Sequence, residues 1–208
     1  MAIVGEWRPG GAPLRHGARD RRRVALSFDD GPGPDTAEVA ALLDREGAAG
    51  TFYVVGDRIR GREDVLRGLV RAGHEIGNHS WDHRRLAGQP LKAFRQLRAT
   101  SRAVSREAGV RPAFFRPPYR ALGGGLIQAA RLAGLTTLTW DVDSRDWELG
   151  GAEAIYEEVV AAVRPGSIVL MHDGGGRRQH TLEALALIVP ALRERGYDLV
   201  TTSRLLGR

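Results

Sequence analysis

The chain has 208 residues, 42% hydrophobic and 27% charged, the make-up of one generous soluble domain or two small ones. It has no cysteine, which excludes disulfides and thiolate metal sites and leaves His, Asp and Glu as the available metal ligands. The formal net charge is +6 with Lys92 as the only lysine, so the basicity is arginine spread along the whole chain, and no nucleic-acid partner is expected.

No apolar run approaches the roughly 18 residues of a transmembrane segment. Residues 1–23, rich in Gly, Pro and Arg, read as an irregular leading segment. They show no basic stretch followed by a long apolar one, so no signal peptide is expected. A cytoplasmic location is the expectation for the chain as written, and a secreted or wall-associated one if it is a trimmed piece.

Val24 to Phe28 reads as a short buried strand, bounded by the charged run 19–23 and stopped by Gly31-Pro32, with Asp29 and Asp30 at its C-terminal end. A helix follows from Asp35, its expected N-cap, to about Glu46, with Val39, Leu42 and Leu43 at helical spacing. Gly50 to Gly56 is a second strand, rich in aromatic and β-branched residues. Glu63 to Ala72 is a helix closed by Gly73, and His74 to Asn78 a third strand. Pro90 to Ala108 is a long helix. The alternation continues with strands over 113–116, 135–140, 167–171 and 198–202, and helices over 125–133, 152–163 and 181–195.

Seven strands with intervening helices and no linker indicate one α/β domain. The polar residues choose its form. Asp29 and Asp30, His79, Arg116, Asp143 and Asp146, and His172 all fall just past the ends of different strands, where barrels build their sites. An open sheet would instead concentrate contacts at one switch point, usually with a glycine-rich phosphate loop, and none is visible. The expected fold is a distorted (β/α) barrel of about seven strands spanning residues 24–206.

Two adjacent carboxylates ending a buried strand are costly unless a cation accepts them, and a metal plus a proton-transfer role would explain both. A turn cap would explain one. His79 and His83 stand four residues apart, and on one helical turn both rings would reach one ion. With Asp30 they make a two-histidine, one-carboxylate set that leaves coordination positions open. Arg116, stiffened by Pro117-Pro118, would support a nearby carboxylate, although alone it reads equally as a surface arginine before a turn. Residues 140–147 crowd three acids and two tryptophans after a strand, and His172 ends another.

Together these stretches resemble one family. Ser27-Phe28-Asp29-Asp30-Gly31-Pro32, His79-Ser80-Trp81-Asp82-His83, Arg116-Pro117-Pro118-Tyr119, Asp143-Ser144-Arg145-Asp146-Trp147 and Leu170-Met171-His172 are similar, in order, to five motifs of the NodB-like polysaccharide deacetylases, carbohydrate esterase family 4. The resemblance implies a metal-dependent hydrolase that removes N-acetyl groups from N-acetylhexosamine units of a glycan, such as peptidoglycan or a chitin-like oligomer. It implies Asp30, His79 and His83 as metal ligands, with zinc the default ion and cobalt or nickel as alternatives. It also implies Asp29 as general base, Arg116 orienting and tuning it, His172 as general acid and Asp146 paired with His172. Tyr119 would contribute its amide to the oxyanion site, while Trp147 and Leu170 would line the acetyl pocket.

One position departs from the pattern: Arg120 stands where the family usually has glycine. The same machinery acting on a small acetamide, formamide or cyclic imide is therefore a second reading, and a non-catalytic glycan-binding module a third. A monomer is expected.

Overall fold

The computed structural model describes residues 13–208. The first 12 residues of the predicted irregular segment, including the stretch read for a signal peptide, lie outside the described residues. The elements in chain order are β1 (Arg23–Gly31), α1 (Thr36–Arg45), β2 (Gly50–Val54), α2 (Glu63–Arg71), β3 (Glu75–Asn78), α3 (Pro90–Ala108) and β4 (Phe114–Phe115). Then come α4 (Gly124–Leu132), β5 (Thr136–Thr137), β6 (Val142–Asp143), α5 (Ala152–Ala162), β7 (Ile168–His172), α6 (Gln179–Glu194), β8 (Asp198–Leu199) and α7 (Thr202–Leu205). Among the described residues no helix is long and apolar enough to cross a membrane.

All strand pairs are parallel, in the order β5-β4-β3-β2-β1-β7-β6, with β8 beside the first residues of β1. The curled sheet is a distorted barrel, as the alternation led us to expect. The leading segment links the β5 edge to the start of β7, where Leu14 pairs with Leu138 and His16 with Ser167. Every predicted strand is present, and the acidic stretch before Trp147 adds the short β6. The C-terminus differs in one respect: the last strand, expected over 198–202, stops at Leu199, and Thr202 opens α7. The Thr201 side chain accepts from the Arg204 amide and caps that turn, which is a local hydrogen bond competing with strand pairing.

β1 forms the axis of the core. Val24, Leu26 and Phe28 alternate onto the outer face, where they pack with Leu43 of α1, Leu66 of α2 and Ile188 of α6. Burying each such side chain contributes about 1.5–3 kcal/mol. The intervening residues Ala25, Ser27 and Asp29 belong to the inner face, with Ala25 packed against Tyr53, Phe114 and Ile168. Because the strands are parallel, their C-terminal ends open on one rim. A strictly alternating strand would send Asp30 outward to the helices. Instead the β1–β2 register shifts between Asp29 and Gly31, and Asp30 adopts a left-handed φ of 75°, so this bulge turns both carboxylates to the rim.

Candidate active site

The rim holds a cleft of about 510 Å³ lined by, among others, Asp29, Asp30, His79, His83, Tyr119 and His172. Trp147 and Leu170 line it as well, while Arg116 and Asp146 stand behind its wall. All ten residues singled out from the sequence therefore converge on one place.

The histidine pair arrives there by a different route from the one its spacing suggests. Residues 79–83 form no helical turn: Ser80 and His83 have φ values of 68° and 57°. This irregular loop is tied to α3 by side chains. Asn78 Nδ2 donates to the Leu97 carbonyl at 2.8 Å, the Thr100 hydroxyl to the Ser80 carbonyl at 2.8 Å, and the Trp81 amide to Gln96 Oε1 at 3.1 Å. The two rings end 5.0 Å apart, centroid to centroid.

Asp30, His79 and His83 offer one ligand atom each, and these three atoms lie within 4.8 Å of one another. His79 Nδ1–H donates to the Arg116 carbonyl at 2.7 Å, which leaves the Nε2 lone pair facing the cleft. Burial lowers the His79 pKa, with the charges of Asp29 and Asp30 offsetting it in part, so the ring is held neutral as a ligand requires. Asp30 Oδ1 is buried without a hydrogen bond, yet lies 2.9 Å from His83 Nε2 and 3.7 Å from His79 Nε2. Burial would raise the Asp30 pKa, but the His83 contact and the nearby histidine charges hold it well below the usual carboxylate range. Two imidazole nitrogens converging on an orphaned carboxylate oxygen, three ligand atoms in all, fit a divalent cation.

Two charged pairs flank this cluster. Arg116 is fully buried and packs between the rings of Tyr53, 4.0 Å from its guanidinium carbon, and Trp140 at 5.6 Å. It donates to Asp29 Oδ1 at 2.8 Å and to Ser27 Oγ at 2.8 Å, fixing Asp29 on the inner face of β1. Opposite, His172 Nδ1 lies 2.7 Å from Asp146 Oδ1, while Asp146 Oδ2 accepts from the His172 amide and the Thr181 hydroxyl, each at 2.8 Å. Burial would lower the His172 pKa, but the hydrogen bond and charge of Asp146, followed by Asp29 and Asp30, raise it. Tyr119 and Trp147 present exposed aromatic faces, 56% and 57% accessible, and Leu170 is buried beneath.

Sequence reading passed over Arg58. It donates to the Asp30 carbonyl and lies 3.8 Å from Asp30 Oδ1. Its one signal was a cation just past the end of the second strand. The reading of Asp35 also needs correction: it occupies the N-cap of α1, but its side chain makes no cap hydrogen bond and instead accepts from the Arg178 amide at the start of α6. Tertiary pairing with a second helix start outcompetes the local cap.

The loop after β7 must pass close to β1. A Cβ on Gly174 would meet the Asp30 carbonyl oxygen at 2.0 Å, a backbone atom that cannot swing away. Gly174→Ala is expected to cost about 1–3 kcal/mol. For a chain of this size that is a fall in melting temperature of about 2–4 °C per kcal/mol, read by thermal denaturation.

Comparison with known proteins agrees with this geometry. The polysaccharide deacetylase family model matches residues 16–138. The chain is 34% identical over 99% of its length to a peptidoglycan-N-acetylglucosamine deacetylase of Bacillus cereus, of which it covers 98%. It is 37% identical over 84% of its length to a chitooligosaccharide deacetylase of Sinorhizobium fredii, covering 87% of that protein. The solved Bc1960 peptidoglycan N-acetylglucosamine deacetylase superposes with a TM-score of 0.87 at 31% identity, over 92% of this chain and 91% of that one. By fold and by sequence over nearly its whole length, the chain belongs to the polysaccharide deacetylase family, the hydrolases of carbohydrate esterase family 4.

Proposed function

We propose that this protein removes N-acetyl groups from N-acetylhexosamine units of a glycan, by attack of water on the amide carbonyl. The observation that carries the reading is the placement of two charged pairs, Asp29–Arg116 and His172–Asp146, on either side of the Asp30–His79–His83 cluster in one cleft. The relatives named for peptidoglycan and chitooligosaccharide deacetylation support the substrate class.

A divalent ion, zinc by default, would be held by Asp30, His79 and His83 and would supply Lewis acidity, lowering the pKa of water and polarising an acyl oxygen. Asp29 takes the proton from the attacking water. Its other oxygen is occupied by Arg116, so a single Oδ2 remains to do so, 3.7 Å from His79 Nε2. His172, kept protonated by Asp146, delivers a proton to the departing amine, without which the tetrahedral intermediate would collapse back to the amide. The Tyr119 amide helps hold the developing oxyanion, and Trp147 and Leu170 enclose the acetyl methyl. Each proton transfer contributes about 10²–10⁴ in rate.

The test is acetate release from N-acetylglucosamine oligomers and from small acetamides, with and without a chelator. Release from the oligomers, abolished by chelation and restored by zinc or cobalt, is the expected result. Release from the small amides alone, or undiminished release after complete metal removal, would overturn the proposal.

A further inference from the structure

We propose that Arg85 and Arg120 form an anion-binding lip on this cleft, and that the glycan taken there carries a carboxylate close to the acetylated sugar. The proposal rests on the deacetylase reading above and names the substrate class of the same site. Both arginines line the cleft. The other charged groups around it are committed. Arg116 pairs with Asp29, Arg58 with Asp30, and Arg178 Nε donates to the Gly174 carbonyl. Asp143, the remaining acid of the lining, accepts from the Trp140 indole and the Arg145 amide. The guanidinium groups of Arg85 and Arg120 make no ion pair or hydrogen bond among the described residues.

Both are nevertheless held in place. Arg85 lies over the Tyr119 ring, 4.7 Å from its centroid, and Arg120 over Trp140 at 5.3 Å. An arginine resting on an aromatic face keeps its planar fork of N–H groups free at the edge, and that fork matches a carboxylate. The location is equally specific. His83 packs on Tyr119 with ring centroids 4.7 Å apart, so the Arg85 cation stands one ring away from the metal-ligand cluster. A carboxylate on the acetylated sugar, or on its neighbour, is the group this lip would meet. Arg120 also sits at a φ of 52°, directly after Tyr119 at 57°. A side chain there costs roughly 1–2 kcal/mol that glycine would avoid, so the turn itself has no need of arginine. A contact to substrate gives it one.

Two sources of such a carboxylate are a lactyl ether on an N-acetylhexosamine and a uronic acid linked to it. The experiment compares the full chain with Arg120→Gly, Arg85→Ala and the double variant. Substrates are neutral N-acetylglucosamine tetramer, peptide-free N-acetylglucosamine–N-acetylmuramic acid oligomers, N-acetylglucosamine–glucuronate oligomers and a sulfated oligomer. The expected result is a higher kcat/KM on one carboxylated series than on the neutral one. That ratio should fall about tenfold or more in the double variant, as loss of charge-assisted hydrogen bonds predicts, and should shrink with added salt. The series that responds identifies the source of the carboxylate.

Equilibrium binding of the same oligomers to chelator-treated protein gives a readout independent of turnover. Selective binding of a carboxylated series, lost in the double variant, without acetate release from any substrate would retire the deacetylase reading and leave the arginine lip standing. A ratio unchanged in the variants, or a parent preference for the neutral or sulfated oligomer, would overturn the lip.

Discussion

Asp29→Asn is expected to lower deacetylation by about 10²–10⁴ while metal uptake persists, because a carboxamide cannot accept the proton of the attacking water. The substitution is nearly isosteric. The amide oxygen can still accept from Arg116 Nη1, which now reaches Asp29 Oδ1 at 2.8 Å. The proposed ligands Asp30, His79 and His83 are untouched. Removing the carboxylate also leaves the fully buried Arg116 without its counter-charge, and breaking such a pair can cost about 3–5 kcal/mol. A melting curve must therefore accompany the rate, so that a loss of folded protein is not counted as a loss of catalysis. Single-turnover acetate release and bound-metal analysis on the same folded sample separate the two. A variant that keeps its metal and turns over at the parental rate would remove Asp29 from the role of base.

The second large effect concerns the leaving amine. His172→Ala is expected to cost about 10²–10⁴ on N-acetyl substrates, and far less on an aryl acetate, whose leaving group departs without protonation. Equal losses on both would contradict general-acid chemistry. Asp146→Asn probes the same proton without deleting the ring. Burial alone would lower the His172 pKa, and Asp146 is the leading contribution that reverses it. An acid must be protonated to act, so activity falls as pH rises through this raised pKa. Removing the Asp146 charge lets burial dominate, and the alkaline limb of the kcat profile moves to lower pH. A limb that stays in place, or moves upward, would show that another group carries that proton.

The five motifs are legible in the amino-acid sequence for a simple reason. Strand and helix periodicities are local, and in a parallel sheet every strand ends on the same rim. Asp29, His79, Arg116, Asp146 and His172 each lie at or shortly past the C-terminal end of a strand, so their convergence follows from topology alone. Arg58 could not be found that way. It follows a strand as they do, but a lone arginine on an arginine-rich chain carries no pattern, and its partner Asp30 lies 28 residues away. The spacing of His79 and His83 pointed to one ion but to the wrong backbone, since a helical turn and an irregular loop can bring the same two rings together. What selected the loop was bonding from Asn78, Trp81 and Ser80 to α3, made by residues 15 to 20 positions on.

The sequence by itself determined the class of fold, the rim that carries the chemistry, and the kinds of side chain present there. Each of those depends on local periodicity and on residue type. Only the tertiary structure decided that Asp30 leaves the outer face through a bulge and joins Asp29, because register is fixed by pairing with β2. It likewise decided that the leading segment links the β5 edge to the start of β7, that Asp35 serves α6 rather than its own helix, and that the guanidinium groups of Arg85 and Arg120 lie on aromatic faces with no hydrogen bond or ion pair among the described residues. These outcomes turn on hydrogen bonds and ring contacts, many of them between distant parts of the chain, whose strength depends on what each group finds opposite it once the sheet has curled.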